Sequence, residues 1–138
     1  VNLGVAVASP RGLLVPNIKA AQSLNTSDLA LRLDQLVTAG RNGTTGVADL
    51  RGGTMTITNI GTFGVDGGTP ILNPGESAII CMGRVHRQPW EHKNRVRLRD
   101  VATISMSFDH RLVDGELGSK VLARVARLLE YPDLALAE

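Results

Sequence analysis

The sequence predicts a mixed α/β (α+β) fold with a largely central sheet flanked by helices. Two observations carry this: runs with apolar residues at alternate positions are interleaved with two stretches at helical spacing, and a long loop leads into a short, wholly apolar run. The 138 residues, 43% of them apolar and with 15 Lys+Arg against 13 Asp+Glu, suffice for one domain with its own core. A disordered tail, a collagen-like repeat and a disulfide scaffold are excluded by that composition.

The elements follow in order. Alternation over Val1–Ala8, the turn cluster Ser9-Pro10-Arg11-Gly12 and then Leu13-Leu14-Val15 predict a hairpin of two short strands, the second ending at Pro16. Leu29, Leu33, Leu36 and Val37 stand at helical spacing behind the cap-competent Asn25, Thr26 and Ser27, with Asp28 near the positive helix end and Gly40 at the stop. Residues 41–52 hold too many Gly and Thr for a helix and form a loop. Gly53–Ile60 alternates Thr with apolar residues, which marks a strand with one polar face. The loop 61–75 is long enough to suggest a function, although its glycines lack the spacing of a phosphate cradle. Ser77–Met82 is then a buried strand. Val96–Leu98 and Val101–Phe108 form either a hairpin or one bent strand. A final amphipathic helix carries Leu117, Val121, Leu122, Val125, Leu128 and Leu129 and stops at Pro132.

Cysteine and charge narrow the setting. Cys81 is the only cysteine and sits in an apolar run, so we expect a reduced, cytoplasmic protein with a buried thiol and no metal site. No stretch approaches the ~20 apolar residues of a membrane span, and no signal segment opens the chain, so membrane insertion is not expected. The sequons at Asn25 and Asn42 lack a secretory context. Val1 begins directly in a strand-like run without an initiator Met, as in a piece of a longer protein. Arg84, Arg87, Lys93, Arg95, Arg97 and Arg99 gather around Trp90 with only Glu91 among them. This is either a solvated hairpin with basic outward positions, or a docking patch for an acidic partner or ligand phosphates. Nucleic acid is disfavoured, because one Trp, one Tyr and two Phe leave little for base stacking.

The densest polar cluster is Ser107–Gly115, between a strand and a helix, where the sheet fixes strand ends and the turn aims side chains. Histidine's ordinary pKa of about 6.5 makes His110 a candidate proton acceptor, and Asp114 lies at the cap of the closing helix. Taken alone, the cluster is equally a helix-starting turn.

Read whole, Asp109-His110-Arg111-Leu112-Val113-Asp114-Gly115 resembles the D-H-R-x-x-D-G motif of the dihydrolipoamide acyltransferases, the E2 components of 2-oxoacid dehydrogenase complexes. It is also similar to the H-x-x-x-D-G signature of chloramphenicol acetyltransferase. Gly12–Ile18, Gly53–Gly61 and Thr69–Glu76 look like the family's hairpin, its G-T-x-T-I-[ST]-N-x-G strand and its T-P-I-[IL]-N-P segment, in the right order. The resemblance implies a chloramphenicol-acetyltransferase-like fold over 1–138, as the C-terminal part of an E2 catalytic domain with no lipoyl or peripheral-subunit-binding domain. It implies acyl transfer between dihydrolipoamide and coenzyme A, with His110 as general base, Thr58 holding the tetrahedral oxyanion and Asp114 maintaining the geometry. The lipoyl group would be carried by a lipoyl domain outside this chain, and no metal is involved. A homotrimer built into a cubic or dodecahedral core would join His110 of one subunit to Thr58 of the next, with E1 and E3 components as further partners. Gly61–Thr69 and Val85–Trp90 look most similar to actinobacterial branched-chain-type enzymes, with acetyl transfer or an inactive scaffold as alternatives.

Overall fold

The computed structural model describes residues 1–136. Its centre is a five-stranded sheet in the order β4-β1-β5-β6-β9, formed by β1 (Leu3–Val5), β4 (Asn17–Ile18), β5 (Met55–Asn59), β6 (Ala78–Met82) and β9 (Ile104–Phe108). β1, β5 and β6 run parallel, and the flanking β4 and β9 run antiparallel to their neighbours. The sheet is thus mixed and central to the fold. Val7, Ile18, Ala78, Ile79, Ile80 and Cys81 make the apolar core, so the cysteine is buried. Enclosing a side chain such as Ile79 or Ile80 stabilises the fold by about 1.5–3 kcal/mol.

The run Val1–Ala8 is not one strand. It enters the sheet as β1, breaks at Ala6, and continues as β2 (Val7–Ser9), which pairs with β3 (Gly12–Leu14). The second arm likewise does not end at Pro16 but resumes as β4 beyond it. Both pairings share one register, Leu3 opposite Ile18 and Val7 opposite Leu14, so this is one long hairpin with a gap. Pro16 causes the gap, because it has no N–H to give to the ladder.

A comparable break bends the other hairpin. β7 (His86–His92) and β8 (Arg95–Val101) pair as a separate two-stranded sheet whose turn places Lys93 at φ 53° and Asn94 at φ 60°, the left-handed pair that a two-residue hairpin loop requires. Val96–Leu98 therefore pairs with 86–92 and not with 101–108. Three residues, 83–85, separate β6 from β7, whereas two, 102–103, separate β8 from β9, so the register slips by one. An extra residue on one side of an antiparallel ladder bends it, and here it swings the hairpin away from the main sheet. Gly83 sits at the bend, where any Cβ would collide with the backbone of Asp66.

Helix α1 (Thr26–Arg41) starts where expected, with the Asn25 side chain accepting from the Asp28 N–H at 2.8 Å. Gly40, near its end, lets it close on Val7. Helix α2 (Gly115–Glu130) lies against β9. A Cβ on Gly118 would come within 2.6 Å of the Phe108 ring, so the glycine sets how near α2 approaches the sheet. A short α3 (Asp133–Leu136) follows Pro132. Among the described residues, no helix is long and apolar enough to cross a membrane.

Candidate active site

The turn after β9 is held at both ends. The Asp109 N–H donates to the Ser77 carbonyl at 2.9 Å, extending the ladder by one bond, and the Asp109 carbonyl accepts from Leu112 and Val113 at 2.9 and 3.0 Å. The Asp109 carboxylate also accepts the Arg111 backbone N–H at 3.0 Å and the guanidinium at 2.6–3.2 Å. These side-chain hydrogen bonds from Arg111, then its backbone N–H, hold the Asp109 carboxyl at about 2. Sequence reading singled out neither partner of this clamp, although both stand inside the motif.

His110 lies between the two clamped residues, exposed, with its ring centroid 5.8 Å from that of Phe108 and tilted by 46°. Phe108 is itself lodged against Gly118. The backbone on either side of the imidazole is thus fixed by the sheet and by the Asp109–Arg111 pair, while the ring remains free to meet a second molecule. Asp114 caps α2, its Oδ1 accepting the Leu117 N–H at 2.7 Å.

Thr58 belongs to the other end of the sheet. It stands beside Cys81, which stands beside Ser105, so the three share one face. The loop 61–75 crosses this face: the Ser105 hydroxyl donates to the Gly68 carbonyl, and Arg84 pairs with Asp66. Two residues back along β5, the fully buried Thr56 gives its hydroxyl to Glu76 at 2.6 Å and accepts from Asn73 at 3.0 Å. This knot was not foreseen. The only local signal was the polar Thr face of the strand, which does not reveal what lies opposite.

Within one chain the structure does not bring Thr58 and His110 together. Thr58 is three residues beyond the level where Met55, Ala78 and Phe108 align, and His110 is two residues beyond it in the opposite direction. With two strand spacings between them, that is roughly 16 Å along the strands and about 10 Å across. His110 and Asp114, by contrast, share one turn. Among the described residues, no three His, Cys, Asp or Glu are grouped to hold a metal ion.

Comparison with known proteins gives these positions a frame. The 2-oxoacid dehydrogenases acyltransferase (catalytic domain) family matches residues 1–137. The chain belongs to that family. Its relatives include the acetyltransferase component of the pyruvate dehydrogenase complex of Acholeplasma laidlawii, 40% identical over 99% of this chain and 25% of that protein. The succinyltransferase component of the 2-oxoglutarate dehydrogenase complex of Escherichia coli (strain K12) is 36% identical over 99% of this chain and 34% of its own length. Among solved structures, the Azotobacter vinelandii dihydrolipoamide acetyltransferase superimposes with a TM-score of 0.85 at 31% identity, covering 99% of this chain and 56% of that one. Its study concerned the catalytic role of a serine, a histidine fifty-two positions later and an asparagine four positions further on. The cubic core of a pyruvate dehydrogenase multienzyme complex matches with a TM-score of 0.85 at 30% identity, again over 99% of this chain and 56% of that one. The chain thus spans a quarter to a third of these curated relatives and just over half of the solved chains. The fold is that of the family's catalytic cores.

Proposed function

We propose that this chain is the part of an E2 catalytic domain that carries out acyl transfer between dihydrolipoamide and coenzyme A, working as a trimer. One observation carries the proposal: Thr58, His110 and Asp114 repeat both intervals of the residues studied in the Azotobacter vinelandii enzyme, with Thr in place of Ser and Asp in place of Asn.

The chemistry suits the residues. His110 takes the proton of the attacking thiol. A thiol near pKa 8.5 and an imidazole near 6.5 make this transfer uphill by about 2.7 kcal/mol, which positioning can offset. The thiolate attacks the thioester carbonyl, and the Thr58 hydroxyl donates to the oxyanion that forms. His110 then returns its proton to the departing thiolate. Asp114 acts on the scaffold, fixing the start of α2 and so the turn that holds His110.

The separation of Thr58 from His110 within one chain supports a site built between subunits, and hence the trimer and the larger core. E1 and E3 components are the further partners in this reading. For the acyl group we favour a branched chain, because the glycine-rich Gly61–Thr69 and the segment Val85–Trp90 resemble those of branched-chain-type enzymes, and acetyl is second. Thioester absorbance with isobutyryl-, acetyl- and succinyl-coenzyme A as donors tests both points. His110→Ala should abolish transfer while the particle stays intact by light scattering. Near-normal turnover in that variant removes His110 from the mechanism, and a large wild-type particle without activity favours a scaffold.

A further inference from the structure

The β7–β8 hairpin stands apart from the main sheet, and its pairing sorts its side chains with little ambiguity. Gln88, Trp90 and His92 lie opposite Arg99, Arg97 and Arg95, so these six share one face. The other face carries Arg87, Pro89 and Glu91 opposite Asp100, Leu98 and Val96, and both of the hairpin's acids are there, Asp100 lying 3.9 Å from Arg87. Three arginines therefore repeat at every second residue along β8 on a face with no carboxylate of the hairpin's own, with Lys93 at the tip; at the base of that face the Asp66 carboxylate lies 3.9 Å from His86. Among the described residues, Arg95, Arg97 and Arg99 make no ion pair. His92 is held below the ordinary histidine range, first by partial desolvation and then by the positive charges of Arg99, Lys93 and Arg97. Trp90, directly opposite Arg97, is 54% exposed, and a lone two-stranded hairpin gains little stability from itself.

We propose that this face docks an acidic, extended protein segment. Charge complementarity selects the occupant. Arginines about 6.6 Å apart along a strand match carboxylates at alternate positions of an extended chain, and the indole offers apolar surface between them. A polynucleotide fits less well, since the patch is only as long as a seven-residue strand, has one aromatic to stack on, and belongs to a chain of net charge +2. This assignment is independent of the acyl-transfer reading.

Trp90 is the only tryptophan, so its fluorescence reports binding at the patch itself. The complete chain is titrated at low salt with a seven-residue peptide carrying Glu at alternate positions, and with the same peptide carrying Gln. Saturable binding of the Glu peptide alone is expected, weakening steeply with salt. R95Q/R97Q/R99Q should bind about tenfold more weakly with its thermal unfolding unchanged, as expected for three modest exposed pairs. Should the triple variant fail to fold, Arg97→Gln alone should weaken binding about two- to threefold. Equal binding of the two peptides, or unchanged affinity in the arginine variants, overturns the proposal. So does tighter binding of coenzyme A or of a single-stranded oligonucleotide to the same arginines.

Discussion

Placing Thr58 and His110 at opposite ends of the sheet predicts how two dead variants behave when mixed. His110→Ala should lower turnover by about 10²–10⁴-fold as loss of a general base, and Thr58→Ala by about 10²–10³-fold as loss of an oxyanion donor. If each site takes its imidazole from one subunit and its hydroxyl from the next, co-refolding equal amounts of the two variants creates some intact sites. A site is whole when a Thr58→Ala subunit supplies the imidazole and a His110→Ala subunit supplies the hydroxyl. With random assembly into a cyclic trimer this occurs at about one site in four, so activity should recover to roughly a quarter of wild type. The assay is thioester formation at matched protein concentration, with each variant refolded alone as the baseline. Recovery no greater than the sum of the two baselines, in mixed trimers verified by native mass spectrometry, would refute a site shared between subunits.

Other consequences concern stability and pH. Thr56→Val keeps the volume but takes a hydroxyl from the Glu76 carboxylate, and should cost about 1.5–3 kcal/mol in urea unfolding; a loss below ~0.5 kcal/mol would show that the knot is not stabilising. Asp114→Ala should cost about 1 kcal/mol through the lost helix cap, whereas Asp114→Asn, which can still accept the Leu117 N–H, should recover most of that in thermal melts. The Asp109 carboxyl lies at about 2 in the fold against 3.8 ordinarily, so the unfolded chain takes up its proton first as the pH drops. The stability that Asp109 adds is therefore complete above about pH 4 and lost towards pH 2. Melting curves of wild type and Asp109→Asn should converge over that window, and a constant gap between them would contradict the assignment.

What the sequence made legible was local. The Thr alternation of β5, the apolar β6, the caps at Asn25 and Asp114 and the face of α1 all follow from nearest neighbours and helical spacing, and the structure has them in place. Of the six apolar residues expected on one side of α2, by contrast, only Leu122, Val125 and Leu128 are half-buried, and Leu117, Val121 and Leu129 are exposed. Misread features depend on what lies opposite in space. Leu13-Leu14-Val15-Pro16 shows a stop, but only the partner Val5-Ala6 shows that the ladder resumes beyond it. The basic run Arg84–Arg99 reads as a solvated hairpin, which β7–β8 is, but Lys93-Asn94 carries no glycine to announce the tight turn, and the partner of Val96–Leu98 is Pro89–Glu91 and not Val101–Phe108. The site divides the same way: His110 and Asp114 are four residues apart and visible as a motif, whereas the distance from Thr58 is set by the β5-β6-β9 strand order, which no local pattern encodes.

The parallel alignment of β5 and β6 also constrains how the chain reaches its native state. These neighbours cannot zip together as a hairpin does, because eighteen residues, 60–77, must first return to the same end of the sheet. Closing that span costs about 2.5 kcal/mol of chain entropy beyond a constant, before any ladder bond repays it. Refolding should thus begin in the helices and hairpins and reach the β5–β6 seam late, leaving the sticky Ala78–Met82 segment briefly uncovered and making dilution or a chaperone favourable to yield.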